Sequence, residues 1–152
     1  MLDKLPQVWY NIGTKKKVVN AMKEYQYDYY LASGFFTDET RAKVKEVAES
    51  YRRTGFTVFV PMEHEIPNAW DMSEEEWAKK VFETDLNAIN SARELIYLDF
   101  GANGDCGAGW EVGYAYAKGI RVVTFAFGKD ISLMVSNSST VYKTTKNDLK
   151  LV

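Results

Sequence analysis

The sequence predicts an α/β sandwich of three layers around a mostly parallel sheet of five strands. Short apolar and β-branched runs alternate along the chain with longer segments of helical periodicity. The links between these segments are short, as is typical of βαβ units. The run at 120–127 is almost entirely apolar, which indicates a strand that is covered on both faces. These observations favour one domain with helices on both sides of the sheet.

The first part of the domain contains two strands and one helix. Residues 29–32 form a short apolar strand that a serine and a glycine end. Thr37 is a candidate N-cap for a helix whose apolar positions follow i, i+3, i+4 and i+7. Gly55 ends this helix, and the β-branched and aromatic run at 56–60 is the second strand.

A capping box starts the next helix. Ser73 is followed three residues later by Glu76, and the apolar residues behind them lie along one helical face. Residues 95–100 form the third strand, and residues 101–109 contain four glycines. The remaining predicted elements are a helix at 110–118, a fourth strand at 120–127, a short helix at 131–135 and a last strand at 140–142.

Residues 1–28 are interpreted as an N-terminal extension, and residues 29–152 as the main domain. Three lysines precede Val18, Val19 and Met22, whose spacing predicts a short amphipathic helix. We expect this helix to dock on the domain or on a neighbouring subunit. Three lysines are too few to outweigh the acidic remainder of the chain, so they do not indicate nucleic-acid binding.

Composition excludes several functional classes. The chain has 152 residues, a net charge of −2 and one cysteine, so neither a nucleic-acid footprint nor a disulfide framework is expected. No apolar run is long enough to cross a membrane, and the first residues do not have the pattern of a signal peptide. We therefore expect a soluble protein of a reducing compartment, the cytoplasm.

Two acidic residues are the best candidates for chemistry. Functional sites of parallel sheets form beyond the carboxyl ends of the strands, where Asp105 and Glu111 follow the third strand. A carboxylate near a helix N-terminus lies in a positive field that favours its ionised form, which suits attack on an anomeric carbon. The residues alone leave open that Glu111 caps the helix and Asp105 only forms a turn.

Other chemistry has weaker support in the sequence. The glycines at 107, 109 and 113 are spaced one residue too widely for a dinucleotide fingerprint. Glu63, His64 and Glu65 are adjacent, and no second histidine completes the set, so a metal site is not expected. Cys106 and Trp110 are interpreted as packing residues.

Three segments resemble the nucleoside 2-deoxyribosyltransferase family. They are Tyr30-Leu-Ala-Ser-Gly-Phe-Phe36, Thr84-Asp-Leu-Asn-Ala-Ile89 and Asp105-Cys-Gly-Ala-Gly-Trp-Glu-Val-Gly-Tyr-Ala115. The segment Ile131-Ser-Leu-Met134 is similar to a later signature of the family, and the resemblance spans residues 29–142. It implies a flavodoxin-like, Rossmann-like fold and the transfer of 2-deoxyribose between nucleobases without a metal or cofactor.

The resemblance also implies a role for individual residues. Glu111 is the nucleophile that forms a covalent deoxyribosyl-enzyme, and Tyr30 orients its carboxylate. Asp85 handles the proton exchanged with the departing and incoming base, while Asp105 holds a sugar hydroxyl. The substrate-binding residues implied in this way are Asp105, Phe35, Phe36, Glu65, Gly109 and Ser132. Of the two phenylalanines, we expect one to lie in the core and the other to stack on a base.

Two positions depart from the family pattern. Glu65 stands where the family commonly has Gln, and because an ionised carboxylate only accepts hydrogen bonds, the base preference should change. Ser132 replaces a common Asn that reaches a neighbour's sugar site, and Asn137 is close enough in sequence to substitute. The family is oligomeric, so we expect a dimer-based homo-oligomer with sites completed by a neighbouring subunit, acting on deoxyribonucleosides and free nucleobases.

Two alternatives remain at this stage. The first is an N-glycosidase that uses Glu111 and water to hydrolyse deoxynucleosides or their 5′-monophosphates. The second is a nucleoside-binding module without turnover. Retention of Tyr30, Asp85, Asp105 and Glu111 together argues against the module, because binding alone needs no carboxylate nucleophile.

Overall fold

The computed structural model describes residues 24–101, 105–128 and 130–144, and in them one sheet organises the fold. Its strands are β1 (Tyr27–Ser33), β2 (Val58–Phe59), β3 (Ala92–Asp99), β4 (Arg121–Ala126) and β5 (Thr140–Lys143). They lie in the order β2-β1-β3-β4-β5, and every neighbouring pair is parallel. The predicted five-stranded α/β class is confirmed, and these strands are parallel throughout rather than mostly parallel.

Helices α1 (Asp38–Arg53), α2 (Glu74–Asn90), α3 (Cys106–Ala117) and α4 (Leu133–Ser138) connect the strands. Thr37 caps α1 as predicted, and its partner in a capping box is Thr40. The predicted capping box of Ser73 and Glu76 starts α2. Two short 3-10 turns, Pro61–Glu63 and Ala69–Asp71, lie in the loop between β2 and α2.

The start of α3 differs most from its prediction. The helix begins at Cys106 rather than at residue 110. Asp105 is its N-cap, because the Asp105 carboxylate accepts hydrogen bonds from the backbone N–H groups of Gly107 (3.0 Å) and Ala108 (3.3 Å). Two of the glycines that predict a loop, Gly107 and Gly109, therefore lie in the first turn of a helix, and Glu111 lies beyond that turn.

Each face of the sheet carries its own core. Tyr29 and Leu31 point to the face covered by α1. Tyr30 and Tyr97 point to the opposite face, where they pack with buried residues of α2 and α3 such as Val112. Side chains of a strand alternate between faces, so β1 contributes to both layers of helices. This gives the predicted three-layer sandwich.

Several residues expected in the core are exposed. Trp110 keeps 50% of its surface accessible, and Cys106 is exposed, so their interpretation as packing residues is wrong. Trp77 and Phe82 on α2 are also about half exposed, and the buried residues of this helix are Ala88 and Ile89. Only the C-terminal part of α2 packs deeply on the sheet, which leaves its earlier aromatic side chains at the surface.

The predicted N-terminal helix lies outside the described residues. The strand β1 begins at Tyr27, slightly before the predicted domain boundary, and the division at residue 28 stays a prediction. Within the described ranges, no helix is long and apolar enough to cross a membrane.

Two glycines bring the loops after β3 and β4 together. A Cβ added to Gly128 would lie 2.6 Å from the Cα of Gly101, which has a φ of 96°.

Gly128→Ala is therefore expected to destabilise the fold by about 1–3 kcal/mol. Thermal unfolding measures this, with Gly113→Ala as the control: a Cβ at Gly113 meets nothing within 4 Å, and Ala favours a helix interior. Equal melting temperatures for the two variants would contradict the close approach.

Candidate active site

A tyrosine and a glutamate form the centre of the candidate site. The Tyr30 hydroxyl donates a hydrogen bond of 2.7 Å to Oε1 of Glu111. Tyr30 lies on β1 and is fully buried, while Glu111 projects from α3, which covers this face of the sheet. A carboxylate that is held by a buried phenol has one fixed orientation, with its second oxygen available for chemistry.

Burial controls the charge of Glu111. Loss of solvent, together with the charges of Asp85 and Asp105, raises the pKa of Glu111 to about 7, although the Tyr30 hydrogen bond acts to lower it. The prediction that the helix N-terminus favours the ionised form is therefore wrong. Glu111 lies beyond the first turn of α3, where the dipole is weak, and Asp105 occupies the capping position instead.

Asp85 is the second carboxyl group of the site. It lies on α2, is partly buried, and burial raises its pKa to about 6. Its charge also acts on both Tyr30 and Glu111, so the three groups share one environment. Burial and the carboxylates of Glu111 and Asp85 raise the pKa of Tyr30. The phenol therefore stays protonated and donates its hydrogen bond.

Asp105 lies between α3 and the loop after β1. Its carboxylate is bound by the first N–H groups of α3, and a Cβ added to Gly34 would lie 3.2 Å from the Asp105 Cβ. The lack of a side chain at Gly34 thus lets the two loops meet. At Gly109, in the same turn of α3, an added Cβ would meet nothing within 4 Å. The backbone there is open to a ligand.

The other predicted binding residues lie at the same edge of the sheet. Phe35 is partly buried, and Phe36 is 73% exposed, with the two rings stacked at 6.1 Å. Glu65 and Ser132 are exposed, and neither hydrogen-bonds to the Tyr30–Glu111 pair in the described part of the chain. The Asn137 amide donates to the Leu133 carbonyl within α4. The structure thus brings together the three predicted catalytic residues, Tyr30, Asp85 and Glu111, with Asp105. Within the described ranges it does not bring Glu65 or Ser132 into hydrogen-bonding contact with the Tyr30–Glu111 pair.

Sequence reasoning missed Tyr97. It is buried on β3, pairs with Ala32 in register, and lies on the same sheet face as Tyr30. Burial raises the pKa of Tyr97, and so do the carboxylates of Asp99, Asp105 and Glu111. The alternation of β3 is the signal that could have found it, because a tyrosine near the strand end on this face must approach the site.

The arrangement brings together a carboxylate that can act as a nucleophile and a second carboxyl group that can exchange a proton. Glu111 is orientated by Tyr30, and burial raises the pKa of Asp85 to about 6, closer to neutrality than that of an ordinary carboxyl group. Two carboxyl groups with distinct environments are what cleavage of a glycosidic bond requires. Among residues 24–101, 105–128 and 130–144, no group of three or more ligating side chains is placed to hold a metal ion.

Comparison with known proteins agrees with this chemistry. A family model described as Nucleoside 2-deoxyribosyltransferase matches residues 29–143. Fold, site and match define an enzyme class that transfers glycosyl groups or cleaves glycosidic bonds. Within that class, the chain belongs to the nucleoside 2-deoxyribosyltransferase family. No curated protein matches the sequence significantly.

Solved structures show the same fold. The chain is 33% identical to a 2-deoxyribosyltransferase from Bacillus psychrosaccharolyticus, with a TM-score of 0.70 and coverage of 76% of this chain and 85% of that one. A conserved protein from Enterococcus faecalis is 17% identical (TM-score 0.60, coverage 76% and 90%). A CMP N-glycosidase from Clostridium botulinum is 19% identical (TM-score 0.56, coverage 81% and 92%). At these two identities the likeness concerns the fold alone.

Proposed function

We propose that this protein transfers 2-deoxyribose from one nucleobase to another through a covalent bond to Glu111. The observation that carries the proposal is the 2.7 Å hydrogen bond from the buried Tyr30 hydroxyl to the Glu111 carboxylate. It leaves one carboxylate oxygen orientated and free to attack. Membership of the family supports the same conclusion.

The reaction has two displacements at the same carbon. A Glu111 oxygen bonds to C1′ as the bond from C1′ to the base nitrogen breaks, and Asp85 gives its proton to the departing base. A second base then attacks C1′, the Glu111 ester bond breaks, and Asp85 takes the proton that the incoming base loses. Two inversions retain the configuration of the sugar, as in retaining glycosidases.

The electrostatics of the site favour free nucleosides over 5′-monophosphates. Both charged groups that act on the pKa of Glu111 are carboxylates, Asp85 and Asp105. A phosphate would bring further negative charge to the same pocket and oppose ionisation of the nucleophile. We therefore assign deoxyribonucleosides and free nucleobases as substrates, as nucleoside salvage requires, and no cofactor.

Product analysis tests the proposal. Protein and 2′-deoxyinosine are incubated with and without adenine, beside 2′-deoxyinosine 5′-monophosphate and a Glu111→Ala control. Deoxyadenosine formed only by the unmodified protein is the expected result. Hypoxanthine released at the same rate with and without adenine, and without any deoxyadenosine, would identify an N-glycosidase instead. Faster cleavage of the monophosphate than of 2′-deoxyinosine would overturn the choice of substrate. Binding without cleavage of purine or pyrimidine donors would leave only the nucleoside-binding module.

The pH dependence of kcat/KM is expected to be bell-shaped. The productive form has Glu111 ionised and Asp85 protonated, and the pKa values of these groups are about 7 and about 6. The productive form is thus a minor species with its maximum between these values. From this maximum, activity falls towards lower pH as Glu111 gains a proton and towards higher pH as Asp85 loses one. A rate that is constant from about pH 5 to 8 would contradict this assignment of roles.

Exposed apolar side chains on α2, α3 and α4 support a homo-oligomer with sites completed by a neighbouring subunit. Phe82 and Trp110 touch at 5.5 Å and are each half exposed, and Leu133 and Met134 are about three-quarters exposed. A surface of this kind favours burial against a second copy. Helix α4 contacts α3, the helix that carries Glu111, which supports a role for this surface in completing the site.

Met134→Glu is expected to shift the protein towards the monomer, because a buried charge opposes association. Light scattering coupled to size exclusion measures the mass, and transfer activity should fall about tenfold or more as neighbours separate. Lys45→Glu, on the exposed side of α1, is the control and should alter neither. A fully active monomeric wild type would contradict the proposal.

A further inference from the structure

A stack of three rings leads from the protein surface to the candidate nucleophile. The ring of His64 lies on Phe59 with a centroid distance of 3.9 Å and an interplanar angle of 5°. Phe59 stacks on Tyr30 at 5.5 Å and 11°. His64, Phe59 and Tyr30 form what we call the aromatic stack. Its outer ring is exposed, while its inner rings are buried and end in the hydrogen bond to Glu111.

The middle ring of the aromatic stack lies on a weakly held strand. Phe59 belongs to β2, an edge strand of two residues that pairs with β1 alone. Besides its two stacking partners, the ring has an edge contact of 5.2 Å with Tyr27. So short a strand has few backbone hydrogen bonds to fix it, and a ring packed on the outer face of Phe59 limits its movement.

The loop that carries His64 is itself anchored. The His64 N–H donates to the Pro61 carbonyl at 3.1 Å and closes the 3-10 turn after β2. The Arg52 guanidinium donates to the Glu63 carboxylate at 2.6 Å and to the Val58 carbonyl at 3.0 Å. The backbone that carries the imidazole is thus held by its own turn and by Arg52 of α1, although the ring is exposed.

We propose that His64 is a positioning residue that keeps the Tyr30 hydroxyl on Glu111 through Phe59. This inference rests on the proposed function, in which Glu111 is the nucleophile. His64 does not touch the reacting atoms. It restrains the tilt of the Phe59 and Tyr30 rings, and a hydrogen bond of 2.7 Å weakens quickly when its donor tilts away.

Removal of the outer ring should reduce turnover more than substrate binding. His64→Ala is expected to lower kcat about three- to tenfold with KM within about twofold, because the nucleophile is less well orientated. His64→Phe should restore most of kcat, since a flat ring is what the aromatic stack requires. If Phe fails to restore kcat while the fold is intact, stacking is not the role of His64.

A titration of Glu111 tests the coupling without any substrate. Infrared difference spectra, assigned by subtraction of Glu111→Gln, follow protonation of this carboxyl group. The Tyr30 hydrogen bond lowers the pKa of Glu111, so Tyr30→Phe should move the titration to higher pH. His64→Ala should move it in the same direction by less, and should have no further effect in a Tyr30→Phe background. Trp70→Ala, which removes an exposed ring from the same loop, should have no effect.

The outcomes separate this inference from the proposed function. An equal shift by His64→Ala with and without the Tyr30 hydroxyl, or no shift at all, would overturn the positioning role. If the titrations behave as expected while no deoxyribose is transferred, the aromatic stack is supported and the proposed function alone fails.

Discussion

Glu111→Gln is expected to lower deoxyribosyl transfer by at least about a thousandfold. The amide keeps an oxygen that can accept the Tyr30 hydrogen bond, but it has no negative charge with which to attack C1′. Chromatography of the exchange from 2′-deoxyinosine to adenine measures the loss. The intact mass of protein incubated with donor alone should show a deoxyribosyl adduct on the unmodified chain and none on the variant. Unchanged transfer by the variant would exclude Glu111 as the nucleophile.

The same substitution should make the protein more stable at neutral and higher pH. The pKa of Glu111 is about 7 in the fold and about 4.3 in an unfolded chain, so folding favours the protonated group. The contribution of protonated Glu111 to the free energy of unfolding is complete below the pKa of the unfolded chain and is lost as pH rises through about 7. Glutamine removes this cost, so the gain in unfolding free energy should reach about 2 kcal/mol above pH 7 and vanish near pH 4. An equal gain at both pH values would show that charge is not the cause.

Asp85→Asn is expected to lower transfer about a hundred- to ten-thousandfold, because the departing base no longer receives a proton. One further effect should accompany the loss. The alkaline limb of the pH profile should disappear, because an amide does not titrate as the Asp85 carboxyl group does. Steady-state rates across the pH range measure this.

A donor with an activated base separates the role of Asp85 from a general loss of structure. Such a base leaves without protonation, so its transfer should fall much less in Asp85→Asn than transfer from 2′-deoxyinosine. Glu83→Gln is the matched control on the same helix: Glu83 is exposed and its 3.9 Å contact with Lys79 is loose. An equal loss with both donors would contradict acid catalysis by Asp85.

Much of the fold could be predicted from local patterns. The two N-caps, Thr37 and Ser73, have side chains that bind backbone N–H groups within three residues, so the sequence alone contains the interaction. The start of α3 could not be predicted in the same way. Glycines are poor helix formers, and only the folded chain shows that Asp105 caps a turn made of them.

The candidate site was harder to predict than the fold. The resemblance named Tyr30 and Glu111, but the electrostatic argument for an ionised Glu111 came from its sequence distance to a helix terminus. Its pKa depends instead on burial between α3 and the sheet, a property of tertiary packing. Tyr97 and the contact of His64 with Phe59 depend on strand register and loop geometry, which no short motif contains.

The edges of the sheet restrict how copies of this protein can assemble. The edge strands β2 and β5 have two and four residues, whereas the three inner strands have six to eight. Short edges give a neighbouring chain little backbone with which to extend the sheet, so open fibrillar growth from strand to strand is disfavoured. Four exposed aromatic side chains lie on helices instead: Trp77 and Phe82 on α2, and Trp110 and Tyr116 on α3. Contacts through helical faces can close upon themselves by symmetry, which favours assemblies of finite size.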